Sequence, residues 1–120
     1  MIEQFTELED RYEKEFELNS NRVLVSLDKD DMSEATESIL KHVIENLEEI
    51  LNSALRYIEE QKESYEIGFA NDLSEPEIIL NSESFSVYWY SEKGEDQGAS
   101  VIAADYIWPE ATPQGITVGD

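Results

Sequence analysis

The sequence contains no cysteine, a single histidine and few basic residues. Without cysteine the chain can form neither a disulfide nor a thiolate metal site, which fits a reducing cytoplasm. The N-terminus has no basic segment followed by an apolar run, so we expect no signal peptide. No stretch reaches the roughly 18–20 apolar residues of a membrane span, so we expect a soluble cytoplasmic protein without membrane contact.

Acidic residues dominate the composition. Twenty-nine Asp and Glu against eight Lys and Arg give a formal net charge of −21 over 120 residues, although 40% of the residues are apolar. The apolar content and its clear periodicity predict one folded domain over residues 1–120, where the charge alone would suggest disorder. A surface of this charge repels nucleic acid and anionic membranes, so basic proteins are the expected partners.

Residues 12–28 show the period-two alternation of a β-hairpin. In the first strand Glu13, Glu15 and Glu17 point away from the apolar face. Residues 19–21 supply turn chemistry. The predicted inner positions of the two strands are Tyr12, Lys14, Phe16, Leu18, Val23, Val25 and Leu27.

Residues 33–62 predict one long amphipathic helix, with apolar side chains at helical spacing from Ile39 to Ile58. Asp31 or Ser33 is placed to cap its first amides, and residues 52–53 are the expected point of a bend. Residues 84–90, 99–108 and 116–118 predict strands. The prediction is an α+β fold in which this helix packs on an antiparallel sheet, formed by the hairpin and three or four C-terminal strands.

No motif in the chain predicts catalysis, a cofactor or a metal site. Around Asp28, Asp30 and Asp31 the calcium-loop pattern fails, because Met32 occupies the third ligand position, and a capping turn explains the acids. His42 and Glu45 form one H-x-x-E pair without a second pair to complete a site. We therefore expect no enzyme; a domain with a divalent-cation site, such as a cation-dependent hydrolase, is kept as an alternative because many acids must lie close together.

The strand at residues 84–90 carries the candidate contact surface. Phe85, Val87 and Trp89 share the face expected to meet the helix, which leaves Tyr88 and Tyr90 on the other face. Tyrosine is enriched at protein interfaces. The alternative is that the N-terminal residues around Phe5 cover these tyrosines as ordinary core. The predicted partner-binding residues are Tyr88, Tyr90, Glu92, Glu95, Asp96 and Trp108.

The hairpin at 12–28, the helix at 33–62 and the closing strands to Asp120 resemble small acidic bacterial proteins of uncharacterised families. Some members are encoded as immunity partners of polymorphic or contact-dependent toxins. The resemblance implies an α+β fold, no enzymatic activity and inhibition by docking on a basic toxin. The alternative function is a DNA-mimic regulator acting through the acidic helix face around Glu45, Glu48 and Glu49. An edge strand near Ile116 allows either a monomer or a weak homodimer.

Overall fold

The predicted hairpin belongs to a seven-stranded sheet in a computed structural model that describes residues 2–18, 21–61, 75–90, 101–108 and 113–119. Within these residues the strand order follows the chain. The sheet is mostly antiparallel, as predicted, except that β3 and β4 run parallel. The strands are β1 (Thr6–Glu7), β2 (Arg11–Leu18), β3 (Asn21–Asp28), β4 (Glu77–Leu80), β5 (Phe85–Tyr90), β6 (Val101–Tyr106) and β7 (Pro113–Gly119).

Two helices take the place of the single helix predicted over residues 33–62. They are α1 (Glu34–Glu45) and α2 (Leu47–Gln61), and the break falls at Asn46, not at residues 52–53. Asn46 has φ −123° and ψ 28°, and its side-chain amide donates to the His42 carbonyl at 2.9 Å. An asparagine side chain competes in this way for backbone partners and so interrupts a helix. Neither helix has the length and apolarity needed to cross a membrane.

Ser33 caps the start of α1, one of the two residues predicted to do so. Its Oγ accepts a hydrogen bond from the Thr36 amide at 3.2 Å, and Thr36 Oγ1 accepts one from the Ser33 amide at 2.6 Å. This reciprocal capping box satisfies two backbone N–H groups that the first turn leaves without helical partners.

The two helices lie in the connection from β3 to β4. These strands are parallel neighbours, and parallel neighbours must be joined by a connection that crosses from one end of the sheet to the other. They bury their apolar stripes against one face of the sheet, which we call the helix side. The pairing places Phe16 and Val23 together on this side, and Ile78 opposite Val87. The largest fully buried side chains of the resulting core are Val23, Val25, Leu27, Ile39, Leu40, Val43, Ile58, Ile78, Leu80, Phe85, Val87 and Ile102.

The N-terminal segment also packs on the helix side. Phe5 is buried, and its ring meets that of Phe16 edge-on with the centroids 6.3 Å apart. The alternative that this segment covers Tyr88 and Tyr90 is therefore wrong. Phe16 points to the same side of the sheet as Val23. Contact with its ring removes the apolar surface of Phe5 from water, so Phe5 packs on that side.

Tyr106 joins the sheet to α2. Its ring is stacked on Phe85 with the centroids 4.5 Å apart. The hydroxyl donates to the Ile50 carbonyl at 2.9 Å and lies 2.5 Å from Ser53 Oγ. A buried tyrosine needs such partners for its polar tip, so this contact fixes where α2 lies on β6.

Candidate functional site

The face of the sheet opposite the helix side, which we call the outer face, is lined by the alternate residues of each strand. Tyr88 on β5 lies between Glu77 on β4 and Ala103 on β6. Ala103 is buried but stands outside the main core cluster, and Tyr88 is half-buried. No described helix packs on this face. Its strand positions are Thr6, Arg11, Glu13, Glu15, Glu17, Arg22, Leu24, Ser26, Asp28, Glu77, Ile79, Ser86, Tyr88, Tyr90, Val101, Ala103, Asp105, Gly115, Thr117 and Gly119.

The outer face is strongly acidic. Its strand positions carry six carboxylates against two guanidinium groups, those of Arg11 and Arg22. Arg11 forms an ion pair with Glu13 at 3.2 Å between Nε and Oε2, which takes up one of the two cations. The acidic positions are Glu13, Glu15, Glu17, Asp28, Glu77 and Asp105.

Glu77 is the centre of a hydrogen-bonded group on this face. Tyr90 OH donates to Glu77 Oε2 at 3.3 Å, and Ser26 Oγ lies 3.4 Å from Glu77 Oε1. Burial raises the pKa of Tyr90, and the negative charge of Glu77 raises it further. The phenol therefore stays neutral and continues to donate to the carboxylate, which orients the ring of Tyr90 above β4.

A surface pocket of about 170 Å³ lies beside this group. Glu75 contributes one wall, and its Oε2 accepts a hydrogen bond from the Arg22 amide at 2.7 Å. Three carboxylates and one guanidinium line the pocket, together with apolar atoms and a phenol ring. Such a lining suits a cationic side chain with an apolar stem. The lining residues are Glu15, Arg22, Leu24, Glu75, Pro76, Glu77 and Tyr90.

Asp105 has a different role on the same face. Its two carboxylate oxygens each accept one hydrogen bond at 2.7 Å, from Ser86 Oγ on β5 and from Thr117 Oγ1 on β7. The carboxylate thus links three neighbouring strands. We assign Asp105 to holding the sheet together, since these bonds fix both of its oxygens.

The structure brings together two of the predicted contact residues and separates a third. Tyr88 and Tyr90 both lie on the outer face, where Tyr90 is 43% exposed. Trp108 instead packs on the helix side, with its ring edge-on to that of His42 and the centroids 5.0 Å apart. Tyr106, the last residue of β6, lies on the helix side, and Trp108 packs against the same core two residues later. Glu92, Glu95 and Asp96 lie outside the described residues.

The motifs considered for metals have structural roles. Asp28 Oδ1 accepts a hydrogen bond from the Asp30 amide at 2.9 Å and so caps the short turn Lys29–Asp31. His42 is half-buried between the rings of Phe85 and Trp108. Across the described residues, no three His, Cys, Asp or Glu side chains are grouped so as to hold a metal ion.

Comparison with protein-family models, curated proteins and solved structures finds no match.

Sequence reasoning missed the pocket residues around Glu77. The glutamates of β2 were recognisable from their alternation, but Glu75 and Glu77 approach them only because β4 pairs in parallel with β3. The one local signal was the alternation of residues 77–80, in which Ile78 and Leu80 point inward and leave Glu77 on the opposite face.

Proposed function

We propose that this protein is a non-enzymatic binding protein whose acidic outer face docks on a basic partner protein and occludes its basic site. The supporting observation is the pocket beside Tyr90, in which carboxylates from β2 and β4 surround an exposed aromatic ring. A bacterial nuclease-type toxin is a suitable partner, because a site that binds nucleic acid is basic. In that case the chain is the immunity protein that neutralises it.

The net charge of the protein would act mainly on its rate of association with the partner. A net charge of −21 produces a long-range field that accelerates association with a cationic protein and weakens as salt is added. Short-range affinity would come from Tyr88 and Tyr90. Tyrosine offers a large ring area and a polar tip at a low cost in conformational entropy, so it is common among the residues that dominate interface energies.

The pocket would receive one lysine or arginine of the partner. Its aliphatic stem can lie along Leu24 and Pro76 while the charged head reaches Glu15 and Glu75. Arg22 lies in the same wall, and its charge would help to orient the incoming group by repulsion. Placing the partner's cation here would block it from contacting phosphate, which is the proposed basis of inhibition.

Two charge-reversal pairs test the location of the contact. Glu15→Lys with Glu17→Lys changes the outer face, and Glu45→Lys with Glu48→Lys changes the helices by the same total charge. Because both pairs leave the long-range field nearly equal, a difference between them reports the position of the contact. The measurement is capture of basic proteins from the native host, followed by association rates of the captured protein against ionic strength.

We expect the outer-face pair to lose the captured protein and the helix pair to retain it, with an association rate that falls as salt rises. Circular dichroism of both variants controls for folding. Equal capture by the two variants, or an association rate that does not respond to salt, would contradict the proposal. Loss of capture by the helix pair alone would favour the second candidate function.

That second candidate is a DNA-mimic regulator acting through the helices. It is favoured by the exposure of every glutamate in α1 and α2, against Lys41 and Arg56 as the basic residues of the two helices apart from His42. A row of exposed carboxylates on helices can imitate phosphates for a nucleic-acid-binding protein. These glutamates are Glu34, Glu37, Glu45, Glu48, Glu49, Glu59 and Glu60.

A further inference from the structure

The pocket beside Tyr90 has room for one side chain. Its volume is about 170 Å³, whereas sites for drug-sized ligands have volumes of about 300 to 1,000 Å³. Three carboxylates against one guanidinium in its lining favour a cationic side chain. Lysine and arginine are both cationic, so the arrangement of the carboxylate oxygens must decide between them.

The register of the sheet places the two side-chain donors to Glu77 on opposite sides of it. The neighbours of Glu77 are Leu24 on β3 and Tyr88 on β5. Ser26 and Tyr90 each lie two positions further along these strands. Since β3 runs parallel to β4 and β5 runs antiparallel to it, the two hydroxyls reach the carboxylate from opposite directions along β4.

Glu77 consequently turns one carboxylate oxygen toward the pocket. Tyr90 lines the pocket, whereas Ser26 does not. The oxygen on the pocket side is Oε2, which accepts from the Tyr90 hydroxyl at 3.3 Å. Oε1 lies on the far side, 3.4 Å from Ser26 Oγ. A group in the pocket can therefore reach Oε2, but it cannot reach both oxygens of this carboxylate at once.

The other two carboxylates reach the pocket from different directions. Glu75 precedes β4, and its Oε2 accepts a hydrogen bond from the Arg22 amide at 2.7 Å. Glu15 is exposed on β2, opposite Leu24 of β3. Acceptors placed on several sides suit an ammonium group, which has three donors directed away from one another. A guanidinium is planar, and its strongest pairing is a fork onto both oxygens of a single carboxylate.

We propose that the pocket selects lysine over arginine, and that Ser26 sets this preference by holding Oε1 of Glu77 away from the pocket. The lysine preference rests on the proposed function for the charge of the partner, and it names the side chain that the partner inserts. The ammonium would bond to one oxygen of each carboxylate, on Glu15, Glu75 and Glu77. Arg22 repels either head group with the same unit charge, so it does not contribute to the choice.

Three capped tripeptides test the choice of head group. Each has glycine on both sides of a central residue, which is lysine, arginine or trimethyllysine. Trimethyllysine keeps the positive charge but has no N–H donor on its head group. Binding is measured at millimolar peptide from the NMR shifts of the Leu24 and Tyr90 amides. We expect the lysine peptide to bind about fivefold more tightly than either of the others, the upper end for an exposed ion pair.

Two serine variants form a matched pair. Ser26→Ala removes the hydroxyl beside Oε1 of Glu77, so the carboxylate can turn both oxygens to the pocket. Ser86→Ala removes a similar bond, to Asp105, elsewhere on the outer face and leaves Glu77 unchanged. We expect the preference for the lysine peptide to fall to about twofold or less in Ser26→Ala, because a guanidinium fork can then form, and to persist in Ser86→Ala.

Equal binding of the lysine and arginine peptides, or no binding of any peptide, would overturn the lysine preference. Tighter binding of the trimethyllysine peptide would also overturn it, since the ring of Tyr90 would then select the cation in place of the carboxylates. An undiminished preference in Ser26→Ala would refute the role of Ser26.

The outcome is separable from that of the proposed function. If the outer-face charge reversals abolish partner capture while the arginine peptide binds as tightly as the lysine peptide, the acidic docking stands and the lysine preference falls. If the two charge-reversal pairs capture the partner equally while the lysine preference is observed, the pocket binds lysine but is not the site of docking.

Discussion

The contact between Tyr106 and α2 gives a prediction whose size follows from the structure. Tyr106→Phe keeps the buried ring and its stacking on Phe85 but removes the hydroxyl that donates to the Ile50 carbonyl. Ser53 Oγ also donates to the Ile50 carbonyl at 2.9 Å, so this carbonyl keeps a hydrogen-bond partner in the variant. We therefore expect the loss of one ordinary hydrogen bond, about 1 kcal/mol. For 120 residues this corresponds to a fall in Tm of about 4 °C.

The assay is urea denaturation followed by circular dichroism, with Ser53→Ala and the double variant completing a mutant cycle. Because the two hydroxyls lie 2.5 Å apart, the two losses should not be additive. A loss above about 3 kcal/mol in Tyr106→Phe would mean that a polar atom is left unsatisfied, contrary to the observed bonds. No loss at all would mean that the hydroxyl does not pin α2 to the sheet.

The same variant has a signature in alkaline solution. Burial raises the pKa of Tyr106 above 10.0, and the contact with the Ser53 hydroxyl opposes this only in part. Below pH 10 the phenol is neutral in both the folded and the unfolded chain, so its titration contributes no pH dependence. As pH rises through that value the unfolded chain loses the proton first, and the free energy of unfolding falls. The stability difference between the native protein and Tyr106→Phe should therefore shrink above pH 10; a constant difference would contradict the burial argument.

Three further predictions concern stability. Ser33→Ala should lower the free energy of unfolding by about 1 kcal/mol in urea titrations, since it removes the acceptor for the Thr36 amide; unchanged stability would contradict the capping role. Phe85→Ala, at a fully buried position, should cost about 3–5 kcal/mol in the same titrations, and a cost below about 1 kcal/mol would mean that the site is not core. Raising NaCl from about 0.05 to 0.5 M should raise Tm in calorimetry, since salt screens the repulsion within a chain of −21; a falling Tm would show that attractive pairs dominate instead.

Local patterns predicted the elements that depend on local physics. Alternation placed Phe16 with Val23 on one face of the hairpin, and capping preferences narrowed the N-cap of the helix to Asp31 or Ser33, of which Ser33 is the one that caps α1. The break at Asn46 was not recognisable, because the apolar stripe runs through it from Val43 to Leu47. The helix is interrupted by a hydrogen bond from the Asn46 side-chain amide to the His42 carbonyl. The spacing of apolar residues does not reveal such a bond.

Long-range pairing accounts for what sequence reasoning missed. Nothing near Glu77 indicates that it will lie beside Leu24, in parallel, after two helices. Likewise, nothing near Trp108 indicates that its ring will pack on that of His42, which is 66 positions earlier in the chain. The tyrosines of the outer face were found because they depend on a single strand. The pocket that completes the candidate site was not found, because its lining residues come from four strands, β2 to β5.

The parallel pairing of β3 with β4 bears on how quickly the chain folds. Leu24 and Glu77 are 53 positions apart, whereas the neighbouring hairpin brings Leu18 to Asn21. Closing a loop of that length costs roughly 3.5 kcal/mol in chain entropy before any contact is gained. Two locally paired pieces, 11–28 and 77–119, can each form early, and their joining waits for the helices to collapse between them. We expect this junction to be the rate-limiting step of folding.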